Sequence, residues 1–139
     1  MNWEHITNSN THELSFDGEI KEAKVLSVYD GDTIKVAFAL GDSMYKWNCR
    51  LLGIDTPELR TSNKKEKEFG YKVRDLLRER VLNKVVTLKC SEFGKYGRLL
   101  VEVFIGDESI NQWLITNGYA FAYDGGTKQV WFRDEDTNL

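Results

Sequence analysis

Apolar and polar residues alternate along much of this chain, and the alternation breaks at a few sharp places. From Thr33 to Phe38 every second residue is apolar, with Ile34, Val36 and Phe38 on one face, the mark of a half-buried strand. Residues 20–29 form the strand before it. A third strand puts Tyr45, Trp47, Cys49 and Leu51 on one side and Lys46, Asn48 and Arg50 on the other, after a turn at Gly41-Asp42-Ser43. The period then changes. Phe69, Val73, Leu76, Leu77 and Val81 fall on one helical stripe, which predicts a helix of about fifteen residues. Val85 to Cys90 and Leu99 to Ile105 return to strand, separated by Ser91 to Gly97. After Gly106-Asp107, Ser109 can cap a short helix carrying Ile110, Trp113 and Leu114, and Gly118 stands where a left-handed C-terminal cap belongs.

Three strands, a helix, two strands and a short helix make a mainly β chain with helices. That order suits a five-stranded Greek-key barrel of the OB type, with one helix between strands 3 and 4 and a short C-terminal helix. Alternation favours antiparallel pairing over the continuous apolar runs of a parallel sheet. Residues 1–18 are polar with scattered aromatics and read as a loose N-terminal arm, 19–128 as the barrel domain, and 129–139 as a short acidic tail.

At 139 residues the chain has room for one domain. With 41% hydrophobic and 29% charged residues it can build a core. No apolar run is long enough to cross a bilayer, so no membrane partner is expected. The N-terminus shows no secretory pattern, which favours an intracellular setting, and Cys49 and Cys90 read as small core residues rather than a bridge. The net charge of −3 argues at first against a nucleic-acid ligand. The distribution says otherwise: residues 60–105 hold twelve bases against six acids, between acidic ends. A local field of that kind can steer an anion whatever the total charge.

Three polar clusters interrupt the regular elements: Tyr29-Asp30-Gly31-Asp32-Thr33, then Arg50 to Glu58, then Lys95-Tyr96-Gly97-Arg98. They place carboxylates and two arginines at strand ends. Asp32 and Asp55 offer oxygen ligands to a hard divalent cation. Arg50 and Arg98 offer planar forks that match phosphate oxygens. A cation and two guanidiniums beside a spare carboxylate are what phosphodiester hydrolysis requires, since charge builds on phosphorus while water loses a proton. Taken singly, each cluster is an ordinary turn or strand end. Their co-occurrence in this order carries the reading.

The three runs resemble the staphylococcal nuclease (thermonuclease) family, whose signatures are Asp-Gly-Asp-Thr, Arg-Leu-x-x-[Ile/Val]-Asp-Thr-Pro-Glu and Lys-Tyr-Gly-Arg, and the likeness extends from about residue 20 to about residue 128. The resemblance implies an OB barrel and a Ca2+-dependent nuclease acting on DNA and/or RNA with low sequence preference and leaving 3′-phosphates. It implies that Asp32, Asp55 and the Thr56 carbonyl bind the metal. Glu58 is then the general base, and Arg50 and Arg98 hold the scissile phosphate. Lys95, Tyr96 and Tyr123 correspond to residues around the nucleotide. The rival expectation is an inactive nucleic-acid-binding module, although the acids and arginines such modules tend to lose are all present. A monomer is expected.

Other positions leave two readings open. Asp30 either shapes the Asp-Gly turn or adds a third acid. Lys64 to Glu68 is either a solvated helix start or a loop reaching substrate phosphates. Trp131 and Phe132 either fold back over the barrel or mark a contact surface.

Overall fold

The computed structural model describes residues 2–132. Five strands form the barrel: β1 (Ile20–Asp30), β2 (Thr33–Leu40), β3 (Ser43–Leu51), β5 (Val85–Phe93) and β6 (Leu99–Ile105). Between β3 and β5 lie the two-residue β4 (Ile54–Asp55) and helix α1 (Lys64–Val81). After β6 come β7 (Glu108–Ser109), helix α2 (Ile110–Thr116) and β8 (Phe121–Ala122). The neighbours run β3-β2-β1-β5-β6, and a parallel pairing of β3 with β6 closes the ring. That seam sets Cys49, Arg50 and Leu51 against Leu99, Leu100 and Val101. The expected OB barrel with its helix between the third and fourth barrel strands is therefore what the chain forms.

The alternation seen in the sequence is the burial pattern except in the first half of β3, where the strand runs past the core and Tyr45 is exposed. Ile34, Val36, Phe38, Cys49, Leu51, Leu88, Leu99, Val101 and Val103 all point into the core. From α1, Val73, Leu77 and Val81 are buried on the stripe that the helical period marks. The helix runs longer at its start than the apolar stripe shows. Asn63 caps it, its side chain accepting the Glu66 N–H, so Lys64 to Glu68 form the first turn. A polar first turn on a solvated face carries no apolar period to read. Cys49 and Cys90 are free and buried, and burial pushes the Cys49 thiol up to about 12.

Phe16 belongs to the core although its neighbours in the arm are exposed. Its ring meets Phe38, Trp47 and Phe93 at 5.2–5.8 Å, and Phe38 stacks on Trp47 at 4.6 Å. This aromatic plug fills the barrel near the far end of β2. The near end of β2, at Thr33, is left for polar residues.

One buried polar side chain holds the seam. Asn111 of α2 donates to the carbonyls of Leu52 and Val101 and accepts the Val103 N–H, at 2.9–3.1 Å. All of its amide's strong interactions are thus spent on the closure between β3 and β6. Trp131 and Phe132 fold back toward α1: Trp131 lies 4.1 Å from Phe121 and 5.5 Å from Phe69, and the Phe132 carbonyl accepts from Asn63. Among the described residues no helix is long and apolar enough to cross a membrane. Most of the tail read as acidic lies outside the described residues.

Candidate active site

The site is assembled at the rim where β1 turns into β2. Asp30 pairs with Thr33, so Gly31 and Asp32 are the two loop residues of a tight hairpin. Asp30 accepts the Asp32 N–H at 3.1 Å, which makes it a shaper of the turn. Burial first, and the Asp32 charge next, hold the Asp30 carboxyl well above the usual carboxylate range. Gly31 is required for space: a Cβ there would lie 2.8 Å from Val73 Cγ1 and 2.9 Å from Thr56 Cβ. The hairpin tip is therefore pressed between α1 and the segment that follows β4.

Arg50 reaches this corner from β3, where it pairs with Thr33. Its Nη1 donates to Leu51 O and its Nη2 to Ile54 O, both at 3.0 Å, and Nη2 stands 3.4 Å from Asp32 Oδ2. Arg98, one residue before β6, arrives through the parallel seam and donates to Thr33 Oγ1 at 3.2 Å. The Thr33 hydroxyl in turn donates to Asp32 Oδ1 at 3.1 Å. Two guanidiniums separated by 48 positions in the chain thus flank one carboxylate.

Asp55, Thr56 and Pro57 are buried, and Glu58 emerges into solvent. The Glu58 N–H donates to Glu66 Oε2 on α1 at 2.8 Å. Gly70 lets α1 approach, because a Cβ there would sit 3.0 Å from the carbonyls of Pro57 and Glu58. Asp55 Oδ1 is sealed from solvent and accepts no well-formed hydrogen bond. Facing it is the Lys128 ammonium, 3.3 Å from Asp55 Oδ1 and 3.3 Å from Glu58 Oε1. Burial works against the Lys128 charge, but the two carboxylates outweigh it and hold the ammonium above the usual lysine range.

A cavity of about 420 Å³ opens beside the arginines, lined by Arg50, Arg98, Lys95, Tyr96, Tyr123 and Asp124 among others. A second, of about 430 Å³, lies between Asp55 and the loop from Tyr123 to Gln129. Five of the nine expected site residues therefore share one cavity wall, and Asp55 lines the next. Asp32, Thr56 and Glu58 line neither, but Asp32 is bonded to Arg50 and Glu58 shares Lys128 with Asp55.

A family model described as staphylococcal nuclease homologue matches residues 48–137, more than half of the chain. The chain belongs to that family. A thermonuclease of Staphylococcus hyicus is 35% identical over 101 residues, covering 71% of this chain and 57% of its own length. An uncharacterized endonuclease of Escherichia coli O157:H7 is 33% identical over 102 residues, covering 73% and 60%. Endonuclease YncB of Bacillus subtilis is 32% identical over 107 residues, covering 73% and 49%. The chain thus spans about half to three fifths of the length of these relatives. The match to the staphylococcal nuclease model begins in β3, so the Asp32 hairpin lies before it.

Staphylococcal nucleases are metal-dependent, and the residues here suit an oxygen-seeking ion. Asp32 and Asp55 are both buried, one Asp55 oxygen lacks a hydrogen bond, and a cation already stands against it. Among the described residues, no three His, Cys, Asp or Glu side chains cluster closely enough to hold an ion by themselves. An ion held by these two carboxylates would accept carbonyl, water or phosphate oxygens as well, as hard cations do. Asp124 and Lys128 go unmarked in the sequence, and Glu66 is marked only as part of the Lys64–Glu68 run. For Glu66 a signal exists, since Asn63-x-x-Glu66 is a helix-start pattern. For the other two, position depends on the return of a loop that no local period describes.

Proposed function

We propose that this chain is a metal-dependent nuclease that hydrolyses phosphodiester bonds of DNA and/or RNA. The observation that carries this reading is the convergence of Arg50 and Arg98 on the Asp32–Thr33 corner, at the mouth of a tyrosine-walled cavity. The names of the relatives support it. Two guanidiniums at one corner hold a phosphate through charge-assisted hydrogen bonds. Arg50 is fixed by three acceptors, which holds its charge in place before substrate arrives. Tyr96 and Tyr123 supply faces for a base, and Lys95 adds positive charge beside them. Such a site reads phosphate and one base face, so little sequence preference follows.

Asp32, Asp55 and the Thr56 carbonyl are the proposed metal ligands, and the ion, calcium in this reading, supplies Lewis-acid charge to the phosphate when bound. Glu58 takes a proton from the attacking water as the new O–P bond forms and the bond to the 5′-oxygen breaks. Arg50 and Arg98 stabilise the charge that builds on the phosphoryl oxygens. The departing 5′-oxygen takes up a proton from solvent, so the products are a 5′-hydroxyl and a 3′-phosphate.

Incubation of single-stranded DNA and RNA with calcium, and with EDTA in parallel, tests this. Cleavage in calcium alone is expected; intact substrate after long incubation favours a binding module instead. Glu58→Gln should retain nucleotide binding and lose about two or more orders of magnitude in rate, the range for a positioned base. An unchanged rate removes Glu58 from the mechanism.

A further inference from the structure

The carboxylates of Asp55 and Glu58 share a single ammonium, that of Lys128. Asp55 is almost wholly buried, at 3% exposure, so its charge needs a close partner. Lys128 supplies one from a loop rather than from the barrel, and its side chain is about half exposed at 48%. The same loop has a second duty. Tyr123, Asp124 and Gly125 form part of the wall of the arginine cavity. Within the loop, Tyr123 donates to the Gly126 carbonyl at 2.8 Å, Gly126 N–H donates to Asp124 at 3.0 Å, and the Lys128 ammonium lies 5.8 Å from the Tyr123 ring. The position of Lys128 and the shape of the cavity wall are therefore properties of one short piece of chain.

We propose that Lys128 is the site's own tethered counter-ion, which a divalent cation must displace from Asp55, so that ion occupancy sets the position of the 123–128 cavity wall. The inference rests on the reading of Asp55 as a metal ligand and carries it further. A divalent ion on the same oxygen meets a positive charge at contact distance, and the two do not share it. Lysine suits a removable plug, because its charge sits on a flexible four-carbon stem that re-enters water easily. Linkage then makes the coupling reciprocal. Whatever Lys128 subtracts from ion affinity, the ion subtracts from the hold of Lys128 on the loop.

The test is calcium binding by titration calorimetry on the full chain without nucleic acid, comparing the natural protein with Lys128→Met and Lys128→Arg. Removal of the charge should tighten calcium binding about tenfold, within the roughly 5–150-fold span of ordinary site coupling. Lys128→Arg, which keeps the charge, should bind no more tightly than the natural protein. Hydrogen exchange supplies the second readout. Calcium should speed exchange across residues 123–128 in the natural protein and leave it unchanged in Lys128→Met, where the loop is already released. Equal or weaker calcium binding by Lys128→Met overturns the proposal, as does an absence of calcium binding in both proteins or a loop whose exchange ignores calcium. A natural protein that cuts DNA in calcium, alongside a Met variant that binds calcium no more tightly, sinks this inference and leaves the nuclease reading standing. Circular dichroism of each variant confirms folding, which the exposed position of Lys128 favours.

Discussion

Gly31 has no positive φ, so the left-handed freedom of glycine is not what the position uses. It uses the missing side chain. Val73 of α1 and Thr56 of the candidate metal segment both stand within 3.0 Å of where a Cβ would be. An alanine must push one of them, and the helix side is backed by fully buried core. Gly31→Ala should therefore cost about 1–3 kcal/mol, the range for overpacking, and shift Thr56 relative to Asp32. Catalytic geometry tolerates such shifts poorly, with about a hundredfold lost for a displacement of roughly 1 Å. A urea melt together with a digestion rate checks both halves. Wild-type turnover in a destabilised variant would show that the close contact serves packing alone.

At the scale of elements, the parallel seam is the part that needs help. β3 meets β6 over three residue pairs, and α2 reinforces the join through Asn111. Asn111→Ala removes three hydrogen bonds and leaves the Val103 N–H without its acceptor inside the core. A loss of about 2–3 kcal/mol is expected from denaturant unfolding, as for other buried groups left unpaired. The five barrel strands were legible because each has a wet and a dry side, and period two records that directly. β4 and β8 were not legible. Two-residue strands such as Ile54–Asp55 exist because Phe121 and Ala122 come back to meet them, and no local pattern encodes a partner 66 to 68 positions away. Asn111 was silent for the same reason. In sequence it is one polar residue in a short helix, and its value appears only when β3 and β6 touch.

At the scale of the molecule, the arm and the barrel are not separable at residue 18. Phe16 is buried among Phe38, Trp47 and Phe93, so the core extends into the stretch that composition marks as loose. Phe16→Ala should cost about 3–5 kcal/mol, the usual range for a buried phenylalanine, and thermal or urea unfolding measures it. A cost below about 1 kcal/mol would mean that the ring merely rests on the barrel. The candidate site was legible where a run of residues carries its own chemistry, as Arg50 to Glu58 does. It was illegible where chemistry depends on the chain returning, as with Lys128, whose two carboxylate neighbours lie about 70 positions earlier.

The join between β3 and β6 brings together two arginines that are made at different times. During synthesis Asp32, Arg50, Asp55 and Glu58 leave the ribosome well before Arg98. The seam pairs residues 50 positions apart, as Cys49 and Leu99 are, and a contact of that range costs loop-closure entropy. Until it closes, Arg98 has no Thr33 to rest on and the proposed phosphate grip has one jaw. In the proposed reading, a chain cut short before Arg98 therefore carries at most half of the phosphate grip, however well its earlier strands are made.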